Sequence, residues 1–344
     1  MSQAETAHPA EPGARGERGT LRRVRLLATL AVLCGIGVYY VVRHGEQFSG
    51  ILRVGAVQVV AMLALTLISG TVYATVLRTA ANHLGTRLSL GESVAMFWAT
   101  AYANFLPMKA GLALQGVYLK RNHELPYSRF ASYTAGVYVI LFLAIGVAGM
   151  GLSVPSVLRG ECGLLVPAGF AALALACLVP ILVPAAGRYA GGSRALGALS
   201  RVVQGWHELR SDRGMLLKIT VVSAASILLQ SLRLVVAYRA LGYDTPWNAV
   251  LLVALAGGFV ELLSVVPGGL VLREAAIGGM GVAVGNAFGV GVVAGTLDRA
   301  ASMVVIFVLG PLAVHHLLGR TSPEQNPGAG VMQAVQDHTR GQQP

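Results

Sequence analysis

The chain has 344 residues, 55% of them hydrophobic and only 12% charged, with a formal net charge of +11. Soluble domains carry about twice that charged fraction, which excludes an ordinary soluble enzyme. The basic excess is mostly arginine and no soluble module presents it, so it reads as positive-inside bias and attraction to anionic lipid rather than nucleic-acid binding.

Residues 1–20, rich in Ala, Glu, Gly, Pro and Arg, have the composition of a disordered tail, as do residues 321–344. Residues 21–320 between them read as one polytopic membrane domain. The apolar run Leu26–Val42 follows Arg22, Arg23 and Arg25 and lacks a small-x-small cleavage site, so an anchoring helix is expected there. Full spans are expected over roughly 25–42, 54–77, 130–152, 162–186, 214–238 and 293–318.

Two further apolar regions, 89–120 and 246–287, are broken by Pro107 and by Pro267-Gly268-Gly269. Threading the basic residues decides how to read them. If 89–120 crossed once, Lys120, Arg121 and Arg129 would lie outside. If it enters and returns, they stay in the cytoplasm together with the arginines of loop 187–213. The hairpin is preferred, and the same logic makes 246–287 a hairpin entering from the opposite face. The predicted fold is an all-α integral membrane protein: about six full spans plus two proline/glycine-broken helical hairpins, in an inverted repeat. Two merely kinked spans are the competing reading. Leu196, Leu199, Val202, Val203, Trp206 and Leu209 recur at helical spacing, which suits an interfacial helix and a plain connecting helix equally.

The informative chemistry lies after the second break. Arg273-Glu274 and Asp298-Arg299 place ionisable groups in otherwise apolar runs, where such groups face a bundle interior or a wet cavity. A helix restarting past Gly268-Gly269 offers free N–H groups to an anion, and Arg273 can clamp two phosphate oxygens. Glu274 can take a headgroup amine or hold an arginine. The bland reading is a structural ion-pair set, Arg273 with Asp298 and Glu274 with Arg299 in either combination. Adjacent residues 298 and 299 diverge by about 100° on a helix, so one of them pairs while the other binds or gates. Arg233 is read as snorkelling to the outer interface, ahead of attracting a lipid phosphate.

In the first hairpin Pro107 and Gly111 mark the bend. Lys109, at the tip, fits phosphate binding and snorkelling equally. Asn104 and Gln115 are suited to satisfying broken-helix backbone or to a headgroup. Gly281, Gly285, Gly289, Gly291 and Gly295 predict close helix approach. Cys34, Cys162 and Cys177 lack metal-binding or redox spacing, and His315-His316 reads as interfacial. No catalytic triad, HExxH motif or Walker loop is present, so neither an enzyme nor a cofactor is expected.

These motifs resemble the transmembrane, flippase-like region of the lysylphosphatidylglycerol synthases, in a stand-alone member without the soluble synthase domain. The resemblance covers most of residues 20–320. It rests on Pro267-Gly268-Gly269-Leu270-Val271-Leu272-Arg273-Glu274-Ala275-Ala276 with Leu297-Asp298-Arg299. In the first half it rests on Asn104-Phe105-Leu106-Pro107-Met108-Lys109-Ala110-Gly111 with Ser128-Arg129-Phe130-Ala131. It implies a bacterial or archaeal cytoplasmic membrane and a role in moving or presenting lipid, while the charge threading places both termini in the cytoplasm. The chain departs from the family pattern at Leu112 and Gln115, where an acidic residue and an arginine are usual. It departs again at Tyr133-Thr134-Ala135-Gly136, where a Glu-Arg pair is usual.

The expected function is translocation of an anionic phospholipid or a polyprenyl-phosphate-linked lipid. Lys109, Gly268, Gly269, Arg273, Glu274, Asp298 and Arg299 would bind the lipid, and Pro107, Gly111 and Pro267 would act as hinges. The alternative is a non-transporting partner or scaffold of a lipid- or glycan-modifying enzyme. Anionic membrane lipids are the expected partners, such an enzyme is a further candidate, and homo-oligomerisation is left open.

Overall fold

A computed structural model describes residues 51, 54–106, 110–182, 212–264, 269 and 271–319. They all belong to the second of two compact units, Met1–Phe48 and Ser49–Pro344. The expected span 25–42, the 196–209 segment, both tails, Pro107, Lys109, Pro267 and Gly268 lie outside the described residues.

No strand occurs among the described residues. In chain order the helices are α1 (Ala56–His83), α2 (Leu90–Ala103), α3 (Ala110–His123), α4 (Tyr127–Leu158), α5 (Leu165–Leu182), α6 (Arg213–Ala240), α7 (Trp247–Leu263), α8 (Leu272–Ala283) and α9 (Phe288–Leu318). The long helices α1, α4, α6 and α9 have 28, 32, 28 and 31 residues and are apolar enough to cross a membrane. At 1.5 Å per residue they rise about 42–48 Å, more than the ~30 Å hydrocarbon core. Their polarity pattern is inverted relative to a soluble helix. On α6, Ser223, Ser226 and Ser231 are buried, while Leu217 is 65% and Val221 56% exposed. Apolar side chains that face outward on a helix of this length are matched to lipid.

The helices α2, α3, α7 and α8 have 14, 14, 17 and 12 residues. They rise only about 18–26 Å, short of a crossing. Each pair folds back on itself, and polar contacts close both bases. At the first, Glu92 in the opening turn of α2 accepts from the Tyr118 hydroxyl at 2.7 Å and meets His123 Nε2 at 2.9 Å, at the end of α3. A single kinked crossing would put residues 92 and 123 at opposite membrane faces. At the second base, the Thr245 hydroxyl, just before α7, donates to Asn286 Oδ1, just after α8, at 3.4 Å.

The two bases lie at opposite ends of the bundle. Tyr127 opens α4 four residues after His123, and at the far end of α4 Ser156 accepts from Asn248 Nδ2 at 3.2 Å, in the first turn of α7. At the first base's end, His83 of α1 lies 3.6 Å from Asp212 Oδ2, which also caps α6 through the Met215 N–H. The hairpins therefore enter from opposite ends, as the charge threading predicts.

Close packing of both hairpins depends on glycine. A Cβ at Gly111 would stand 2.2 Å from the Thr100 carbonyl oxygen and 2.5 Å from Asn104 Oδ1, so only glycine lets α3 fold onto the end of α2. In the second hairpin, fully buried Ile277 of α8 wedges between α7 and α9. A Cβ at Gly257 would meet Ile277 Cγ1 at 2.8 Å, and one at Gly291 would meet the Gly278 Cα at 2.8 Å. The predicted glycine seam is thus corrected in membership. Gly291 and Gly295 belong to it with Gly257 and Gly278, whereas Gly285 serves a turn at φ +88° with open space around it.

Candidate functional site

The break between α7 and α8 is strained where it re-enters the helix. Val271, the N-cap of α8, has φ +68°, and Gly269 before it has φ +64°. A β-branched residue in the left-handed region is a true outlier, and such residues collect at ligand clamps and switch regions. From this restart Arg273 and Ile277 share one face of α8, being four residues apart. The wedge that seats Ile277 therefore also aims Arg273 toward α9; its Cγ lies 3.7 Å from where a Gly257 Cβ would stand.

Asp298, on α9, is completely buried and holds two arginines at once. Arg233 of α6 donates from Nε to Oδ1 at 2.5 Å and from its second terminal nitrogen to Oδ2 at 3.1 Å. Arg273 donates to Oδ2 at 2.7 Å. Arg233 also donates to the Thr66 hydroxyl of α1 at 3.1 Å, and that hydroxyl donates to the Met62 carbonyl at 2.8 Å. Four helices are thus tied through one carboxylate. The neighbouring residue points elsewhere: Arg299 contacts the Glu274 carboxylate, and its terminal nitrogen lies 3.5 Å from the Gly269 carbonyl oxygen.

Both predicted ion pairs form in the combination Arg273–Asp298 and Arg299–Glu274. Arg233 corrects its own expectation. It does not snorkel; it is buried and bidentate on Asp298, because an unpaired arginine at this depth is costly. The cluster has a sixth member that the charged motifs do not include. Glu261, near the end of α7, brings Oε2 to 3.1 Å from Arg273 Nε, too poorly aligned for a hydrogen bond. Its signal was available as a lone acid in an apolar run, twelve residues ahead of Arg273.

The cluster forms one wall of a cavity of about 390 Å³ lined from α1, α2, α3, α4, α6, α7, α8 and α9. Arg233, Arg273, Arg299 and Glu261 are the only Asp, Glu, Lys, Arg or His side chains in its described lining. Asp298 and Glu274 do not line it; they stand behind the arginines they hold. Gly269 lines it too, whereas Gly111 sits in the α2–α3 contact. Toward the first hairpin the wall carries uncharged groups, including Leu112, Gln115, Tyr133 and Thr134. Tyr73, Phe97 and Trp98 supply aromatic surface there, with the Phe97 and Trp98 rings edge-on at 4.9 Å. No group of three or more His, Cys, Asp or Glu suited to a metal occurs among the described residues.

These features define a multi-pass helical membrane protein in which two helical hairpins, inserted from opposite ends, flank a cavity with an arginine-rich wall. Residues 26–310 match the model of the lysylphosphatidylglycerol synthase transmembrane region, and the chain belongs to that family. Over 98 residues it is 34% identical to a UPF0104 membrane protein of Methanothermobacter thermautotrophicus, covering 27% of this chain and 28% of that protein. The match thus spans little more than a quarter of the relative's length. No solved structure matches the chain.

Proposed function

We propose that the protein is a lipid translocase of the cytoplasmic membrane, moving an anionic phospholipid or a polyprenyl-phosphate-linked lipid between leaflets. The observation that carries this reading is the cavity wall itself: three arginines held from behind by carboxylates and turned toward one space of about 390 Å³. Fixed guanidinium groups at membrane depth suit a phosphate, which they can bind bidentately. Arg273 is the principal phosphate ligand, with the backbone around Gly269 and the restart of α8 beside it. Asp298 and Glu274 set the arginines in place, and the aromatic, uncharged side of the cavity receives the rest of the headgroup.

An inverted repeat fits the element order. A long helix, a broken pair and a long helix occur twice, as α1–α4 and α6–α9. Arg78, Arg87, Lys120, Arg121, Arg129 and Arg213 gather at the end of the first hairpin's base, which the positive-inside rule assigns to the cytoplasm together with both termini. The protein itself catalyses no covalent step in this reading.

The test is leaflet exchange of a fluorescent phosphatidylglycerol in proteoliposomes. Arg273→Ala is expected to abolish exchange while the protein still elutes as a folded species; unchanged exchange in that variant would sink the site. One observation favours the runner-up, a scaffold for a lipid- or glycan-modifying enzyme: the first hairpin turns no described charge toward the cavity. That reading predicts no exchange by the purified wild type and a co-purifying enzyme.

A further inference from the structure

The six charged groups of the cluster are not equivalent. Asp298 is completely buried and the Glu274 side chain is 11% exposed, each behind an arginine; the Glu261 side chain is 49% exposed and is the one carboxylate in the described lining of the cavity. Three arginines against the two rear carboxylates leave one positive charge facing the cavity, and Glu261 neutralises it. Its hold is weaker than that of Asp298: a single approach to Arg273 at 3.1 Å, without hydrogen-bond alignment, against bidentate and short contacts. Its place on α7, two residues before the last at Leu263, puts it at the negative end of that helix's dipole, which disfavours a carboxylate. Nothing else within the described contacts of Glu261 holds it there.

We infer that Glu261 is a resident stand-in for the ligand's phosphate: a phosphate monoanion binds Arg273 by displacing Glu261 rather than by adding to the cluster. The inference rests on the translocase reading of this site. It also fixes the charge class of the ligand. One exchangeable negative charge is replaced by one, so a phosphodiester monoanion leaves the wall neutral, while a second negative charge would be uncompensated at low dielectric. The released Glu261 needs no new partner because half of its side chain already meets the open cavity. In the empty state the same carboxylate keeps Arg273 from being a bare buried cation. Glu261 thus sets how tightly the site holds an anion, since every ligand competes with it.

The experiment measures binding of dihexanoyl phosphatidylglycerol, and separately of inorganic phosphate, to the delipidated full-length protein in detergent. Glu261→Gln and Glu261→Ala are expected to bind the short-chain lipid about two- to fivefold more tightly than wild type, the range expected on removing a weak competing ion pair. Their thermal midpoints should fall without lipid and recover with it. Glu261→Asp, which keeps the charge, should gain little, and adding Arg273→Gln should remove the gain. Equal or weaker binding in Gln and Ala variants, with binding by wild type intact, overturns the exchange and leaves the translocase reading standing. Absence of binding in wild type and all variants, with no leaflet exchange, overturns both. If inorganic phosphate gains as much as the lipid does, the exchange holds and the ligand recognised is the free anion.

Discussion

The two hairpins have the same construction and different contents. Each consists of two helices too short to span, closed at its base by a side-chain contact between its ends, and packed through glycine. Among its described residues the first keeps its charge at the base, where Glu92 meets Tyr118 and His123, and turns uncharged side chains such as Gln115 toward the cavity. The second is closed at its base by a Thr245–Asn286 contact and brings its charge to the cavity wall. A shared backbone plan thus tolerates opposite placements of polarity. Hairpin shape depends on backbone breaks and close packing, whereas ligand chemistry depends on which face the ionisable residues occupy.

The comparison can be broken most severely at Asp298. Asp298→Asn leaves two buried arginines without their carboxylate and is expected to cost about 3–5 kcal/mol, since breaking a buried pair strands its partner. The readout is loss of monodisperse protein and a collapse of the thermal midpoint in detergent. Next come the two glycine contacts, one per hairpin. Gly111→Ala pushes a methyl against the Thr100 carbonyl, and Gly291→Ala pushes one against the Gly278 backbone. Backbone neighbours cannot rotate away, so each should cost about 1–3 kcal/mol by overpacking. If only one destabilises, the shared construction is wrong for the other hairpin.

A smaller effect is expected from Glu92→Gln, which weakens the bonds to Tyr118 and His123 at the first base. A loss of about 1–2 kcal/mol is expected, with amide exchange in α3 rising before that in α4. Thr245→Val should be smallest, under about 1 kcal/mol, because the contact it removes is long at 3.4 Å. A larger loss from Thr245→Val than from Glu92→Gln would reverse the proposed placement of polar closure.

Much of the site was legible before any fold was known. Arg273, Glu274, Asp298 and Arg299 stood out because charge in an apolar run needs a reason, and the pairing combinations followed from the rule that buried charges are matched. Arg233 was visible but assigned to the interface: nothing local links it to Asp298, 65 residues away. Glu261 shows in the sequence only as a lone acid in an apolar run, because its partner is decided by how α7 folds back on α8. The glycine spacing identified the right stretch of chain but only part of the contact set, Gly291 and Gly295 but not Gly257, Gly278 or the turn role of Gly285, since spacing along one helix does not say which neighbour approaches it.

The sequence by itself determined that the chain is a helical membrane protein, where its helices break, and which motif residues had to find partners. Composition, period and proline placement are local quantities, and burial in lipid makes them binding constraints. Charge threading favoured hairpins from opposite faces over kinked spans; the tertiary structure decided between those two readings, and it alone decided that Arg233 and Glu261 complete the cluster. Those facts depend on contacts between segments far apart in the chain, which no local pattern encodes.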